Sequence, residues 1–283
     1  MAVVKECKIA LAAFFAYFCL SLALFNRSTF TSLSSIFSSI ALAFLAWCIS
    51  NFSPHADVAK RAAFLGCAFG CSLVLSFSQV SYRCFGWYMT SLSFFHFSEY
   101  IIMAIYNPKT LSIDSFLLNH SLEYKMAAVA SWIEFGIEYY FFPNLKSYVF
   151  ISYVGALLLI GGEITRKVAM ITAQSNFTHL VQFHKKEGHV LVTTGIYSLF
   201  RHPSYVGWFY WSIGTQLTLC NPVCLFGYAV ASWRFFKERI EYEEITLLNF
   251  FQYEYIDYQK KVGTGLPFIK GYLVSDEEIE KMK

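Results

Sequence analysis

The feature that most constrains this chain is the series of apolar stretches that fills it almost from end to end. An α-helix rises about 1.5 Å per residue, so roughly 17–25 apolar residues cross the ~30 Å hydrocarbon core of a bilayer. Eight stretches of about that length occur, at 9–25, 35–52, 62–80, 86–106, 126–142, 148–165, 203–219 and 222–238. The fifth and eighth fit least well: the fifth carries Glu134 and Glu138, and the eighth stays apolar only from Pro222 to Trp233. Composition closes off the soluble alternative. Charged residues make up 14% of the chain, against about 25% in soluble domains. A soluble core of 283 residues could not hide a chain that is 56% hydrophobic. The expectation is an all-α, polytopic integral membrane protein of about eight transmembrane helices.

Orientation follows from where Lys and Arg fall. With the N-terminus inside and eight spans, 19 of the 22 Lys and Arg lie on the inner side, leaving Arg27, Arg83 and Lys146 outside. Both termini are therefore expected in the cytosol. Lys5 and Lys8 precede the first apolar run, and without a small-x-small cleavage site that run is expected to be retained as a span. Asn26-Arg27-Ser28 forms a glycosylation sequon, but it lies close to the membrane and is read as a chance match. A net charge of +3 without a basic run speaks against a nucleic-acid partner. The eight cysteines form no CxxC and no zinc-like spacing, so no metal is expected. Cys67 and Cys71 share a helix face and are read as small packing residues.

The last two stretches meet at Asn221-Pro222. Asn suits a helix N-cap and Pro the first helical turn, which implies a tight antiparallel hairpin. Reflecting the chain about that turn brings Arg201 and His202 level with Arg239 and Ile240, on axes about 8–10 Å apart. Glu243 lies one turn beyond Arg239 on the same face. The hairpin thus gathers Arg201, His202, Tyr205, Arg239, Glu243 and Glu244 at the cytosolic membrane surface. Charges held there serve either as snorkelling anchors and structural ion pairs or as a functional site. Inside the spans, His96, Glu99, Glu134, Glu138 and Glu163 are expected to face the bundle or a cavity; Glu134 and Glu138 repel unless each finds a partner.

The segment Gly188-His-Val-Leu-Val-Thr-Thr-Gly-Ile-Tyr197, the run Arg201-His-Pro-Ser-Tyr205 and the pair Glu243-Glu244 together resemble the isoprenylcysteine carboxyl methyltransferase family. Gly207-Trp-Phe-Tyr-Trp-Ser-Ile-Gly214, Trp233-Arg-Phe-Phe236 and Thr264-Gly-Leu-Pro-Phe-Ile-Lys-Gly271 extend the likeness. The N-terminal half is less diagnostic. The resemblance implies methyl transfer from S-adenosylmethionine, leaving S-adenosylhomocysteine, to the α-carboxylate of a C-terminal farnesyl- or geranylgeranyl-cysteine. Its protein partners would be processed Cys-a-a-X proteins such as small GTPases, met in the endoplasmic-reticulum membrane. It further implies cofactor contacts from Gln182, His189, Val190, Leu191, Val192, Tyr197, His202, Pro203, Ser204, Tyr205 and Glu243. Glu243 would bind either the ribose hydroxyls or the ammonium group.

A C-terminal carboxylate has a pKa near ~3.5 and is already anionic, so the reaction needs positioning and desolvation rather than a general base. An arginine can hold a carboxylate in bidentate fashion. Arg239, where the family resemblance implies substrate contact, is the candidate catalytic and substrate-binding group, with Arg201 the alternative. A prenyl chain gains ~0.8 kcal/mol per buried methylene, so a lateral opening toward lipid is expected among the first six helices (1–165). Residues 166–244 would form the connector, hairpin and cytosolic cofactor pocket, and 245–283 a cap and charged tail. No GxGxxG follows a strand-like run, so the cofactor site must be built from helices and connector. A membrane reductase using NADPH and a phospholipid methyltransferase are the nearest rivals. A transporter would show repeated halves with broken helices, and no repeat is visible.

Overall fold

The computed structural model describes residues 4–24, 55–77, 80–118 and 121–274. The expected span at 35–52, Arg27 with its sequon, and the charged last residues lie outside them. Eight α-helices are described: α1 (Lys5–Leu24), α2 (Ala56–Ser76), α3 (Val80–Tyr106), α4 (Leu122–Phe141), α5 (Val149–Ala173), α6 (Pro203–Leu219), α7 (Pro222–Phe251) and α8 (Tyr253–Lys261). Single 3-10 turns link several of them, and among the described residues there is no strand. The all-helical expectation holds.

Three helices are long and apolar enough to cross a membrane by length and composition: Lys5–Ala23, Ala56–Ser76 and Val149–Asn176. The other long segments are diluted by polar groups, such as His96 and Glu99 in α3 and Glu134 and Glu138 in α4. Helix α6 has only 17 residues, about 26 Å of rise. Helix α7 departs most from expectation. It runs 30 residues, about 45 Å, and continues well past the apolar part that ends at Trp233. Its second half is amphipathic, with Phe236, Ile240, Glu244, Leu248 and Phe251 buried along one stripe.

Helix α5 is apolar outside and polar inside. Phe150, Tyr153, Leu157, Ile160 and Ile164 are exposed at helical spacing, whereas Ser152, Glu163, Arg166 and Lys167 are buried. Lys167 Nζ pairs with Glu163 Oε1 at 3.3 Å. In water such a helix would be inside out; in a bilayer the apolar stripe faces lipid and the charges face protein.

The chain divides into two compact units. In the first (Met1–Leu159 with Gly214–Leu225), α1 and α2 run parallel along a seam of small residues. A Cβ on Gly66 would stand 2.2 Å from the Phe14 carbonyl oxygen, and one on Gly70 2.7 Å from Ser21 Cβ. Glycine at i and i+4 is what lets two membrane helices approach so closely. Helix α3 joins them through Phe97, stacked on Phe14 at 3.8 Å, and packs a following 3-10 turn through Tyr100, stacked on Phe116 at 4.0 Å. His96 is structural: Nδ1 meets the Phe116 carbonyl and Nε2 the Tyr124 hydroxyl.

The same unit corrects two expectations. Lys146, counted among the outer-side charges, is not solvated but 0% exposed. Its ammonium donates to Glu138 Oε2 (2.6 Å), Asn221 Oδ1 (2.8 Å) and the carbonyls of Leu219 and Cys220 (2.9 and 3.0 Å). Pro222 opens α7 as expected and Asn221 precedes it, but the Asn221 side chain does not cap the helix. It binds Lys146 and donates to the Ser131 carbonyl at 2.9 Å. Glu134 caps instead, taking Val223 N at 2.7 Å and Cys224 N at 2.6 Å. A carboxylate at a helix N-terminus satisfies orphan N–H groups and complements the helix dipole. So Glu134 and Glu138 escape mutual repulsion by taking different partners.

The second unit (Ile160–Ile213 with Phe226–Lys283) is built on close α5–α6 contact. A Cβ on Gly162 would stand 2.5 Å from the Gly207 carbonyl oxygen, and one on Gly207 2.6 Å from Arg166 N. Val206, Phe209, Phe236, Ile240, Leu266 and Ile269 form its core cluster, and Leu248, Phe251, Tyr255, Ile256 and Tyr258 a second one under α8.

Candidate active site

Glu244 organises the second unit. It is 0% exposed, and its carboxylate accepts from Arg201 Nε (2.8 Å), His202 Nε2 (3.0 Å), Tyr255 Oη (3.1 Å), Gln259 Nε2 (3.2 Å) and Tyr272 N (2.8 Å). Five donors on two oxygens nearly saturate a carboxylate. Burial pushes the Glu244 carboxyl up, but the His202 hydrogen bond and the Arg201 charge outweigh it and hold the pKa below the ordinary 4.5. Gly271 sits against this carboxylate at φ 79°, where a Cβ would stand 1.9 Å from Oε2; only glycine fits both demands.

The remaining Arg201 donors go to backbone. Nη1 donates to the carbonyls of Gln259 (3.3 Å) and Val262, and Nη2 to that of Lys270 (2.8 Å). The Arg201 and His202 amides pair with the carbonyls of Gly263 and Thr264 at 2.8 and 3.3 Å. The chain after α8 is thereby tied to the entrance of α6, where Pro203 starts the helix.

Glu243, one residue earlier on α7, points elsewhere. Its Oε2 accepts from the Tyr205 hydroxyl, and that hydroxyl accepts from Arg239 Nε at 2.9 Å. Arg239 Nη2 donates to the His179 carbonyl at 2.5 Å, and its guanidinium carbon lies 5.6 and 5.9 Å from the Tyr205 and Phe235 rings. Nη1 of Arg239 and Oε1 of Glu243 have no hydrogen-bond partner among the described residues. Beneath, Arg166 donates to the Ser204 carbonyl at 3.3 Å and lies 4.6 Å from the Trp208 ring.

Arg201, His202, Tyr205 and Glu243 border one cleft of about 840 Å³, counting its open mouth, within the usual size of ligand sites. All eleven residues that the resemblance assigns to the cofactor line it, from Gln182 and His189 to Tyr205 and Glu243, together with Arg201. Arg239 is not among the lining residues; it reaches the cleft through Tyr205. Lining residues that the sequence reading missed include Phe177, Leu180, Thr246, Leu247, Phe250, Phe251, Tyr255 and Tyr258. On α7 a signal was available: 243, 246–247 and 250–251 follow helical spacing once the helix is carried past Trp233.

The lining is chemically divided. The His189 ring stands edge-on to Phe250 and Phe251 at 5.8 and 5.3 Å, and with Leu191 and Leu247 makes an apolar side. Burial and the charges of Lys185 and Lys186 push the His189 pKa below 6.5, against a smaller opposing pull from Glu243. Tyr258 donates to the Tyr197 carbonyl at 2.5 Å, and burial pushes its own pKa up to about 12. An apolar wall beside a carboxylate with an open oxygen suits a ligand that is part flat ring and part hydroxyl or ammonium.

The family profile described as isoprenylcysteine carboxyl methyltransferase (ICMT) matches residues 154–249. Relatives named protein-S-isoprenylcysteine O-methyltransferase include one from Xenopus laevis, 62% identical over 76% of this chain and 75% of its own. One from Homo sapiens is 59% identical over 78% of each chain. A solved structure described as the eukaryotic intramembrane Ras methyltransferase ICMT superposes with a TM-score of 0.89 at 46% identity, covering 95% of this chain and 99% of that one. Fold, lipid-facing stripes and polar cleft together define a multi-pass membrane enzyme. The chain belongs to the isoprenylcysteine carboxyl methyltransferase family, and its activity is methyl transfer.

Proposed function

We propose that this enzyme transfers a methyl group from S-adenosylmethionine to the α-carboxylate of a C-terminal farnesyl- or geranylgeranyl-cysteine on processed Cys-a-a-X proteins, giving the methyl ester. Its setting is the endoplasmic-reticulum membrane, crossed about eight times, with both termini and the cleft on the cytosolic side. The observation that carries the reading is the cleft itself, where an anionic oxygen of Glu243, an apolar wall and the Tyr205–Arg239 pair lie together.

When bound, the donor supplies an electrophilic methyl on a sulfonium. Glu243, Gln182 and the 189–192 backbone hold its polar parts, and Leu191, Leu247, Phe250 and Phe251 cover its flat ring. The substrate carboxylate enters as an anion, so no residue need remove a proton. Arg239 orients it: with Nε on Tyr205 and Nη2 on His179, Nη1 is left to bind a carboxylate oxygen. Arg201 is the weaker candidate, because Nε, Nη1 and Nη2 already donate to Glu244, Gln259, Val262 and Lys270.

Arg239→Ala is expected to lower the rate of N-acetyl-farnesylcysteine methylation at least about 100-fold, the scale of a charged positioning contact made in the transition state. The labelled methyl ester would be counted on folded protein. Activity within threefold of the parent would remove Arg239 from the reaction. Glu243→Gln is expected to weaken S-adenosylhomocysteine binding roughly tenfold, the worth of one charge-assisted hydrogen bond; calorimetry showing unchanged affinity, or tight NADPH binding instead, would sink the cofactor assignment. His189 adds a pH dependence. Its folded pKa lies below 6.5, so it stays neutral as pH falls through that value, and affinity for the cationic donor should drop only further below. A calorimetric series in which affinity already halves near 6.5 would remove His189 from the site.

A further inference from the structure

Glu6, Asp57, His55, Tyr100 and Ser112 line a second cavity of about 980 Å³, counting its mouth, with Val4, Val58, Leu111 and Ile113 as its apolar part. It belongs wholly to the first unit and plays no part in the reaction described above. It lies at the N-terminal ends of α1 and α2, two of the helices apolar enough to cross a membrane, and therefore at the level where a crossing helix meets lipid headgroups. The decisive residue is Tyr100. The side chain is 1% exposed and its ring is fixed against Phe116 at 4.0 Å with an 8° interplanar angle, yet its hydroxyl has no hydrogen-bond partner among the described residues. Tyr100 lines the cavity, so a hydroxyl without a partner from the chain is open to an atom that enters there. Glu6 makes only a long contact of 3.8 Å with His55, and Asp57 is exposed at the first turn of α2.

We infer that this cavity binds the headgroup of a primary-amine phospholipid, with Glu6, Asp57 and the Tyr100 hydroxyl accepting from the ammonium. Two carboxylates and a hydroxyl acceptor match the three N–H donors of a primary ammonium. The apolar lining suits the start of an acyl chain, and Lys5 and Lys109, exposed next in sequence to Glu6 and Pro108, supply cations for the phosphate. A quaternary ammonium has no N–H to offer and leaves the hydroxyl unmet.

The test uses full-length protein, delipidated in detergent and titrated separately with phosphatidylethanolamine, phosphatidylcholine and phosphatidylglycerol, with retained lipid counted by native mass spectrometry. Phosphatidylethanolamine is expected to be held about tenfold more strongly than phosphatidylcholine, the worth of one charge-assisted hydrogen bond. Tyr100→Phe keeps the stacked ring, and the double variant Glu6→Gln, Asp57→Asn changes only groups at the cavity mouth; each should erase the preference without shifting the thermal midpoint. Equal retention of the two lipids, or a preference that survives in either variant, overturns the assignment. So does displacement of the lipid by a soluble lysine-rich peptide, which would make the site a peptide site.

Discussion

Replacing Glu244 with glutamine is expected to destabilise the second unit by about 3–5 kcal/mol, the usual effect of removing one partner from a buried ion pair. Against a total stability of roughly 5–15 kcal/mol, that loss is a large fraction of the whole and should appear as a marked fall in the thermal midpoint. Glutamine preserves shape but presents an NH₂ where donors now point, and it leaves the Arg201 charge, 3% exposed at the side chain, without its carboxylate. The neighbouring Glu243→Gln should change the melting temperature little, because that side chain is half-buried and its partner is a hydroxyl. The two members of the Glu-Glu pair thus separate: one holds the unit together and the other faces the cleft. The pH dependence has a definite sign. The folded Glu244 pKa lies below 4.5, so its contribution is fully present above that value and is lost as pH falls through the folded pKa. Thermal midpoints of parent and Glu244→Gln protein should therefore converge on acidification. A variant that melts like the parent at neutral pH would overturn the structural role.

Much of this site was legible from one geometric step. Reflection about Asn221-Pro222 places Arg201 and His202 level with Arg239 and Ile240, with Glu243 one turn beyond, and the structure brings all of these groups into one unit. The pairings were not legible. Arg201 takes Glu244 rather than a place facing substrate, because carbonyls at 259, 262 and 270 complete its hydrogen bonds, and nothing in the local pattern announces them. The length of α7 was missed because counting apolar residues ends at Trp233, whereas the helix continues as an amphipathic one whose buried stripe meets α8 and the chain beyond it. The all-helical fold needed only the apolar runs and the absence of any alternating pattern. Lys and Arg counts carry a specific weakness, since they treat every cation as solvated, and Lys146 is fully enclosed.

Lys146→Met makes that last difference measurable. If Lys146 were a charge at the membrane surface, its loss would alter stability by a few tenths of a kcal/mol at most. Enclosed as it is, its removal strands Glu138, which is 9% exposed, and leaves the carbonyls of Leu219 and Cys220 without a donor at the end of α6. The expected loss is again about 3–5 kcal/mol, read as a fall in the thermal midpoint of detergent-solubilised protein. Lys146→Met combined with Glu138→Leu should recover only part of it. The stranded carboxylate is then gone, but the two carbonyls and Asn221 Oδ1 still lack their donor, a cost that persists while they are buried. A double variant as stable as the parent would mean that the ion pair alone mattered; partial recovery would show that the ammonium serves chiefly to satisfy the turn between α6 and α7, with Glu138 present to make a buried lysine tolerable. Glu134 performs the complementary task on the other side of Pro222, so one turn has its carbonyls met by a cation and its amides by an anion. Two opposite charges on or just after α4 therefore do for this hairpin what water does for a turn at an aqueous surface.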